Sequence, residues 1–343
     1  MFKKIFYFII SLGMLAACGK ADKNKSDESK PAKLSGEIKN VDSGYVYVKK
    51  PTKYETKTID STKINDKGEF SLSIDNLAEK GGIFKIHIND QYTNQYLVPG
   101  YDLTMKLDFD KFDESLKYSG KGAVPNNFFA EKERNDARIQ NSFKKNLSLG
   151  EKDYKDKMDS IKKRMKNKME KAIKKADLPE KFKKFANADI FYTWVRKLNV
   201  YPKYKQRQIK SDSSVVSEDY YSFLDKVDLN KPELLKVDNY RRFISSRLSK
   251  KAMELYRNDS TLQENGIKGY YTARFETCKD LFTQEDIRNR MLTNILKRGL
   301  SSLSPEDMQG LIAEYKKLCT DDSCIENVEE KAQNWAHLKS GKD

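Results

Sequence analysis

Residues that build common catalytic and metal sites are scarce in this sequence. Its 343 residues include two histidines, four cysteines and two tryptophans. His87 and His337 have no second His or Cys at metal-ligand spacing, so the sequence supports no zinc site. The Gly-x-Ser-x-Gly element of a serine-hydrolase elbow is also absent. We therefore predict no metal, no cofactor and no catalytic residue, and we expect a binding role rather than an enzyme.

Long apolar segments are lacking as well, which limits how the chain can meet a membrane. The apolar run over residues 5–15 is shorter than the roughly 20 residues that a transmembrane helix needs. It follows a basic start and precedes small residues, the arrangement of a secretory signal peptide over residues 1–17. The Leu-Ala-Ala-Cys of residues 15–18 resembles the lipobox of bacterial lipoproteins. That resemblance implies that Cys18 is lipidated and that the membrane is a partner through this lipid anchor.

Charge of one sign dominates the composition. The sequence has 66 Lys and Arg against 51 Asp and Glu, which gives a formal net charge of +15. A positive field of this size favours anionic partners. Export would keep the chain away from nucleic acid, so we predict no nucleic-acid partner and expect envelope proteins or anionic glycans. The 17 Phe and 19 Tyr supply enough large side chains for folded cores despite the high charge.

The spacing of apolar residues divides the exported chain into two domains. Residues 18–33 carry the anchor and no large apolar side chain, and they predict a flexible tether. Over residues 34–122, apolar positions alternate between turn residues and predict an antiparallel β-sandwich-like domain. A hairpin is predicted around Gly68, with this glycine at the position that needs a positive φ. Helical spacing follows over residues 123–343. The predicted fold class is therefore α+β, a β-sandwich-like domain followed by an all-α domain.

Two helix starts can be predicted from local signals in the second domain. The first helix is expected to begin at Phe128, after a Pro-Asn-Asn turn. A later helix is expected to begin at Ser304, whose hydroxyl can cap it, with Pro305 at the first helical position.

The clearest amphipathic pattern lies in residues 154–173, where Met and Ile form an apolar stripe opposite a face of lysines. The pattern favours an ordinary solvated helix face. The competing hypothesis is that this face contacts a polyanion, and its candidate residues are Lys162, Lys163, Lys166 and Lys168.

Three cysteines remain if Cys18 carries the lipid. Cys319 and Cys324 flank four residues between two predicted helices, a spacing that allows a small disulfide loop. Two aspartates between them oppose formation of a reactive thiolate. A structural disulfide and two idle thiols both stay open, with a redox pair as a further alternative. Cys278 is predicted to be a small buried side chain.

Several stretches of the chain carry a resemblance to a known family. They are the Leu-Lys-Tyr-Ser-Gly-Lys-Gly-Ala of residues 116–123, the Asn-Asn-Phe of residues 126–128, the Tyr-Pro-Lys-Tyr of residues 201–204 and the Glu-Tyr-Lys-Lys-Leu of residues 314–318. Together they resemble Bacteroidetes lipoproteins in which a small β-domain and a helical region precede a TlpA-like thioredoxin domain.

The resemblance also shapes the functional expectation. In that family a Leu-Lys-x-Gly-Lys segment, matched by residues 338–342, leads into the thioredoxin domain and its Cys-x-x-Cys, which this sequence lacks. We therefore expect the family's β-domain and helical region with the thioredoxin domain absent, and no catalytic residue carries over. The expected function is a lipid-anchored cell-envelope protein with a non-catalytic binding or scaffold role, in the outer membrane and facing the periplasm or cell surface. The alternative is an accessory component of periplasmic thiol–disulfide exchange.

Overall fold

The computed structural model describes residues 30–210 and 214–339, with side chains up to residue 334 in the last helix. The predicted signal peptide and Cys18 lie outside the described residues. Strands occupy the N-terminal part, and the first of them begins inside the segment predicted as tether. The strands are β1 (Ala32–Lys39), β2 (Tyr45–Pro51), β3 (Thr56–Lys63), β4 (Glu69–Ile74), β5 (Gly82–Ile88), β6 (Gln91–Leu97), β7 (Asp102–Asp108) and β8 (Lys117–Lys121).

These strands form two four-stranded sheets within the described residues. One sheet has the order β4-β1-β7-β8 and the other has the order β3-β2-β5-β6. All pairs are antiparallel except β1 and β7, which run parallel. Apolar side chains of both sheets share one core, for example Leu34, Val48, Ile86 and Leu103. Because side chains of a strand alternate between its two faces, this shared core explains the period of two in the sequence.

The predicted hairpin around Gly68 is wrong in one respect. Gly68 does adopt a positive φ of 77° in a tight turn, where its N–H donates to the carbonyl of Asn65. However, β3 and β4, which this turn connects, lie in different sheets. The turn is thus a corner between the two layers of the sandwich, because β4 pairs with β1 instead of β3.

Helices predominate in the described residues after β8, and this order of elements confirms the α+β class. The α-helices are α1 (Phe112–Ser115), α2 (Ala123–Asn141), α3 (Phe143–Leu147), α4 (Glu151–Ala176), α5 (Glu180–Ile209), α6 (Asp238–Asn258), α7 (Ser260–Glu264), α8 (Gly266–Leu281), α9 (Glu285–Gly299), α10 (Pro305–Leu318) and α11 (Asp322–Lys339). Short 3-10 helices span Phe109–Lys111, Glu218–Lys226 and Pro232–Lys236. Within the described residues, no helix combines the length and the apolar character required to cross a membrane.

The two predicted helix starts have different outcomes. The Ser304 hydroxyl accepts a hydrogen bond from the N–H of Asp307, so the capped start of α10 is confirmed. The start at Phe128 is wrong, because α2 already begins at Ala123. Its proline, Pro125, sits in the first helical turn, where no intrahelical N–H bond is lost.

Side chains from both regions join the sandwich to the helices. The amide of Asn126 accepts from the N–H of Tyr96 (2.8 Å) and donates to its carbonyl (3.0 Å), which ties α2 to β6. The Tyr96 ring packs edge-on against Phe182 of α5, with centroids 5.3 Å apart. At the start of α6, Asp238 pairs with Lys85 of β5 at 2.5 Å. This last contact holds the start of α6 against the β3-β2-β5-β6 sheet.

Candidate functional site

A cavity of about 540 Å³ lies between α5, α6, α8 and α9. This volume is within the range of about 300–1,000 Å³ that is usual for small-molecule sites. Among the described residues, the lining contains neither Asp nor Glu but includes six arginines. These are Arg196, Arg241, Arg242, Arg274, Arg290 and Arg298. The cavity therefore concentrates positive charge from four separate helices.

Helical periodicity brings polar side chains to the walls of the cavity. Residues four apart lie on the same face of an α-helix. The cavity faces carry Arg241, Ser245 and Ser249 on α6, and Arg290, Asn294 and Arg298 on α9. Each set rises about 12 Å along its helix. The cavity is consequently an elongated cleft with polar groups along its length.

The directions of the helices separate two ends of this cleft. Contacts show that α6 and α9 run in the same direction along the cleft. Near their starts, the charges of Asp238 and Arg241 on α6 act on Arg290 of α9. Near their ends, both helices meet α8, where Arg274 contacts Ser249 of α6 and Tyr271 lies beside Gly299 of α9. We call the end near the β-sheet the sheet-side end, and it contains Arg196, Arg241, Arg242 and Arg290. We call the other end the distal end, and it contains Arg274 and Arg298.

One carboxylate, Asp238, sits beside the sheet-side end. Its oxygens contact Lys85 at 2.5 Å, the Tyr92 hydroxyl at 3.0 Å and the guanidinium of Arg241. Burial alone would raise the pKa of Asp238, but Arg241 and Lys85 hold that pKa below its ordinary value. Asp238 therefore stays ionised, and its single negative charge is already shared by two cations.

The other arginines at the sheet-side end bond to neutral groups. Arg290 donates to the carbonyl of Lys53 at 2.5 Å, in the loop between β2 and β3. Arg196 donates to the side-chain oxygen of Asn239. Burial, followed by the nearby charge of Arg241, lowers the pKa of Arg290 to about 10. Burial, followed by the charge of Arg242, lowers the pKa of Arg196. Both shifts have the sign expected for poorly solvated cations that lie near another cation.

At the distal end, no described carboxylate balances the charge of the arginines. Arg274 donates to the Ser249 hydroxyl and to the Tyr270 hydroxyl, each at 3.1 Å. Its Nε, which is buried, has no hydrogen-bond partner within the described part of the chain. No described side chain forms an ion pair with Arg298, which is exposed at the rim.

This arrangement fits the binding of an anion. Arg274 and Arg290 are only 7% and 8% exposed, and buried charges are costly unless a counter-charge accompanies them. Guanidinium groups bind carboxylate, sulfate and phosphate oxygens through paired, charge-assisted hydrogen bonds. Among the lining residues described, none is a His, Cys, Lys, Asp or Glu that could act as a general base for the serines. The cleft thus presents groups that can bind negative charge.

The four candidate lysines for polyanion contact lie elsewhere, on α4. Lys162 places its Nζ 3.3 Å from the ring centroid of Trp194, and Lys168 pairs with Glu131 at 2.5 Å. Lys163 and Lys166 are exposed. The structure therefore brings two of the four into intramolecular contacts, and none of them lines the arginine cleft.

Burial disfavours a reactive thiolate at two of the cysteines, Cys278 and Cys324. Within the described residues, Cys278, Cys319 and Cys324 are free thiols and all are buried. Burial raises the pKa of Cys278 well above its ordinary value and that of Cys324 to about 12. A disulfide between Cys319 and Cys324 is not formed here, and their pairing under oxidising conditions stays a prediction.

The structure places His87 outside any metal-binding cluster of the described residues. His87 stacks on Tyr92 with centroids 5.1 Å apart, and burial, followed by Lys49 and Lys85, lowers its pKa to about 4. The side chain of His337 lies outside the described residues. In the described part of the chain, no group of three or more His, Cys, Asp or Glu could hold a metal ion.

Sequence analysis missed the arginine cleft, although one signal for it was present. In α9, Arg290 lies at helical spacing between Ile287 and Met291, two buried apolar residues. A long charged residue at such a core position indicates either a buried partner or a site for an external ion. The convergence of four helices on that position cannot be read from any single stretch.

The fold and the cleft together define an α+β protein with a basic cavity of small-molecule size. Comparison with protein-family models, with curated proteins and with solved structures finds no match to this chain.

Proposed function

We propose that this protein is a non-catalytic binding protein that holds an anionic ligand in the arginine cleft. The observation that carries the proposal is the convergence of six arginines with no lining carboxylate among the described residues. Arg274 supports it, because its buried guanidinium bonds to two hydroxyls and has no carboxylate partner among the described residues, so an external anion would supply the missing counter-charge.

The location of this activity is proposed from the sequence. The lipobox-like Leu-Ala-Ala-Cys ending at Cys18 supports a lipid-anchored protein of the cell envelope, in the outer membrane and facing the periplasm or the cell surface. In this setting the cleft would bind envelope glycans or the anionic groups of a partner protein. The accessory role in thiol–disulfide exchange receives less support, because Cys278 and Cys324 are buried with raised pKa values.

The test is a ligand-induced shift in thermal stability of the full chain in detergent. A ligand that binds only the folded state stabilises it by about 2.7 kcal/mol at a concentration of 100 times its Kd. Sulfate and phosphate are expected to raise the Tm of the wild type. The paired change Arg242→Gln with Arg298→Gln is expected to weaken this binding at least tenfold.

A matched control is Arg257→Gln, which removes an exposed arginine of α6 that does not line the cleft. It should leave the anion-induced shift unchanged. If Arg257→Gln and the paired cleft variant behave alike, the effect is general charge screening and the proposal is wrong.

A further inference from the structure

The polar lining of the cleft carries more information than its charge alone. Between the two ends, the walls present the hydroxyls of Ser245 and Ser246 and the amides of Asn199 and Asn294. Hydroxyl and amide groups can both donate and accept hydrogen bonds, which suits a ligand rich in hydroxyl groups. The middle of the cleft is therefore built for a neutral polar segment.

Aromatic contact, in contrast, is scarce in the cleft. Phe243 is the aromatic residue among the described lining residues, and it is only 1% exposed. A nucleobase is usually held on the open face of an aromatic or guanidinium plane. Phe243 offers little open surface for stacking, so the preference for a hydroxylated ligand rests on the serine and asparagine groups of the lining.

The two charged ends are separated by a fixed distance. The α6 and α9 faces each rise about 12 Å from one end of the cleft to the other. An inorganic ion reaches one end only, while an extended chain of linked rings reaches both. Exposed residues such as Arg242 and Arg298 stand at the rim of the two ends, so a ligand can enter from solvent without opening the fold.

From this geometry we infer that the ligand is a short acidic oligosaccharide, with one anionic group at the sheet-side end, a second at the distal end, and sugar hydroxyls on the serine and asparagine side chains between them. The inference rests on the proposed function, since it names the ligand class of the same cleft. The anionic groups are carboxylates or sulfates, which guanidinium groups bind in similar ways.

The experiment measures the affinity of the full chain in detergent for a series of defined probes by isothermal titration calorimetry. The probes are galacturonate, trigalacturonate, a chondroitin sulfate tetrasaccharide, uncharged maltotriose and tripolyphosphate. Trigalacturonate or the sulfated tetrasaccharide is expected to bind at least tenfold more tightly than galacturonate, and the better of the two identifies the anionic group. Maltotriose is expected to bind far more weakly than either.

Three variants locate the two ends and the middle. Arg242→Gln at one end and Arg298→Gln at the other should each weaken the charged oligosaccharide several-fold, and their effects should add because the sites are well separated. Asn294→Ala should weaken the oligosaccharide but leave tripolyphosphate unchanged. Arg257→Gln is the matched control, and near-ultraviolet circular dichroism checks that every variant is folded.

The possible outcomes separate the two proposals. Equal binding of trigalacturonate and galacturonate, or equal loss of oligosaccharide and tripolyphosphate in Asn294→Ala, overturns the oligosaccharide inference and leaves anion binding intact. Binding of every anion that is unaffected by Arg242→Gln and Arg298→Gln overturns both proposals.

Discussion

Two basic regions of this protein differ in what they do with their charge. The lysine face of α4 spreads its cations along one helix, and two of them, Lys162 and Lys168, contact Trp194 and Glu131 of the same chain. The arginine cleft collects cations from four helices around one volume. The first region is conspicuous in the sequence, while the second is visible only in the folded chain.

The density of charge along a chain is therefore a poor guide to a binding site. Charges on an exposed helix face are well solvated, and pairs between them contribute about 0–1 kcal/mol. Charges that converge in a partly buried cavity repel one another and are poorly solvated, so an external anion gains more there. Convergence and burial, rather than number, mark the site.

The largest expected effect contrasts one carboxylate in each region. Asp238→Asn leaves Lys85 and Arg241 without their shared partner, and breaking such a buried pair costs about 3 kcal/mol. Glu131→Gln on the lysine side should cost at most about 1 kcal/mol, because Lys168 is exposed. Guanidinium denaturation of both variants measures these losses of unfolding free energy. Asp238→Asn should also bind sulfate more tightly. Similar losses of stability in the two variants would contradict the proposed difference between the two regions.

The second test compares anion affinity. Arg242→Gln with Arg298→Gln should weaken sulfate binding at least tenfold, or about 1.4 kcal/mol. The fourfold lysine variant, with Lys162, Lys163, Lys166 and Lys168 each changed to Glu, should retain that binding. Loss of heparin retention in the lysine variant alone would restore α4 as the polyanion surface.

The third test uses a half-buried carboxyl group, Glu133, that forms no ion pair within the described part of the chain. Glu133 accepts hydrogen bonds from Thr93 and the N–H of Asn94, and burial raises its pKa to about 8. Because this pKa lies above the ordinary value of a Glu, the stability that Glu133 supports is present at low pH and lost as pH rises through about 8. Between pH 7 and 9 the unfolding free energy should fall by about 1 kcal/mol through this group.

The control for this prediction is Glu133→Gln, which cannot ionise. Its unfolding free energy should change less than that of the wild type over the same pH interval. An identical pH dependence of the two proteins would show that Glu133 is already ionised at neutral pH.

The smallest expected effect concerns the structural role of the lysine face. Lys162→Gln removes the cation over the Trp194 ring and should cost about 0.5–1 kcal/mol. Lys163→Gln, on an exposed neighbour, should change stability by less than about 0.5 kcal/mol. Trp194 fluorescence during denaturation measures the stability of both variants. Equal effects would mean that the contact between Lys162 and Trp194 does not stabilise the fold.

Local signals predicted much of the fold. The hydroxyl of Ser304 and the position of Pro305 predicted the start of α10, because a cap acts on its own helix turn. The positive φ of Gly68 was predicted for the same local reason. The sheet partner of β4 could not be predicted, since pairing is decided by residues distant along the chain.

The sequence alone determined the alternation of strands and helices, the positive net charge and the lipobox-like start, because each depends on neighbouring residues or on composition. Only the tertiary structure decided where that charge becomes a site. Arg196, Arg274 and Arg290 belong to three different helices, and only the packing of those helices brings their guanidinium groups to one cleft. The physical reason is that a binding site depends on distances in space and on exclusion of water, which no single stretch of sequence contains.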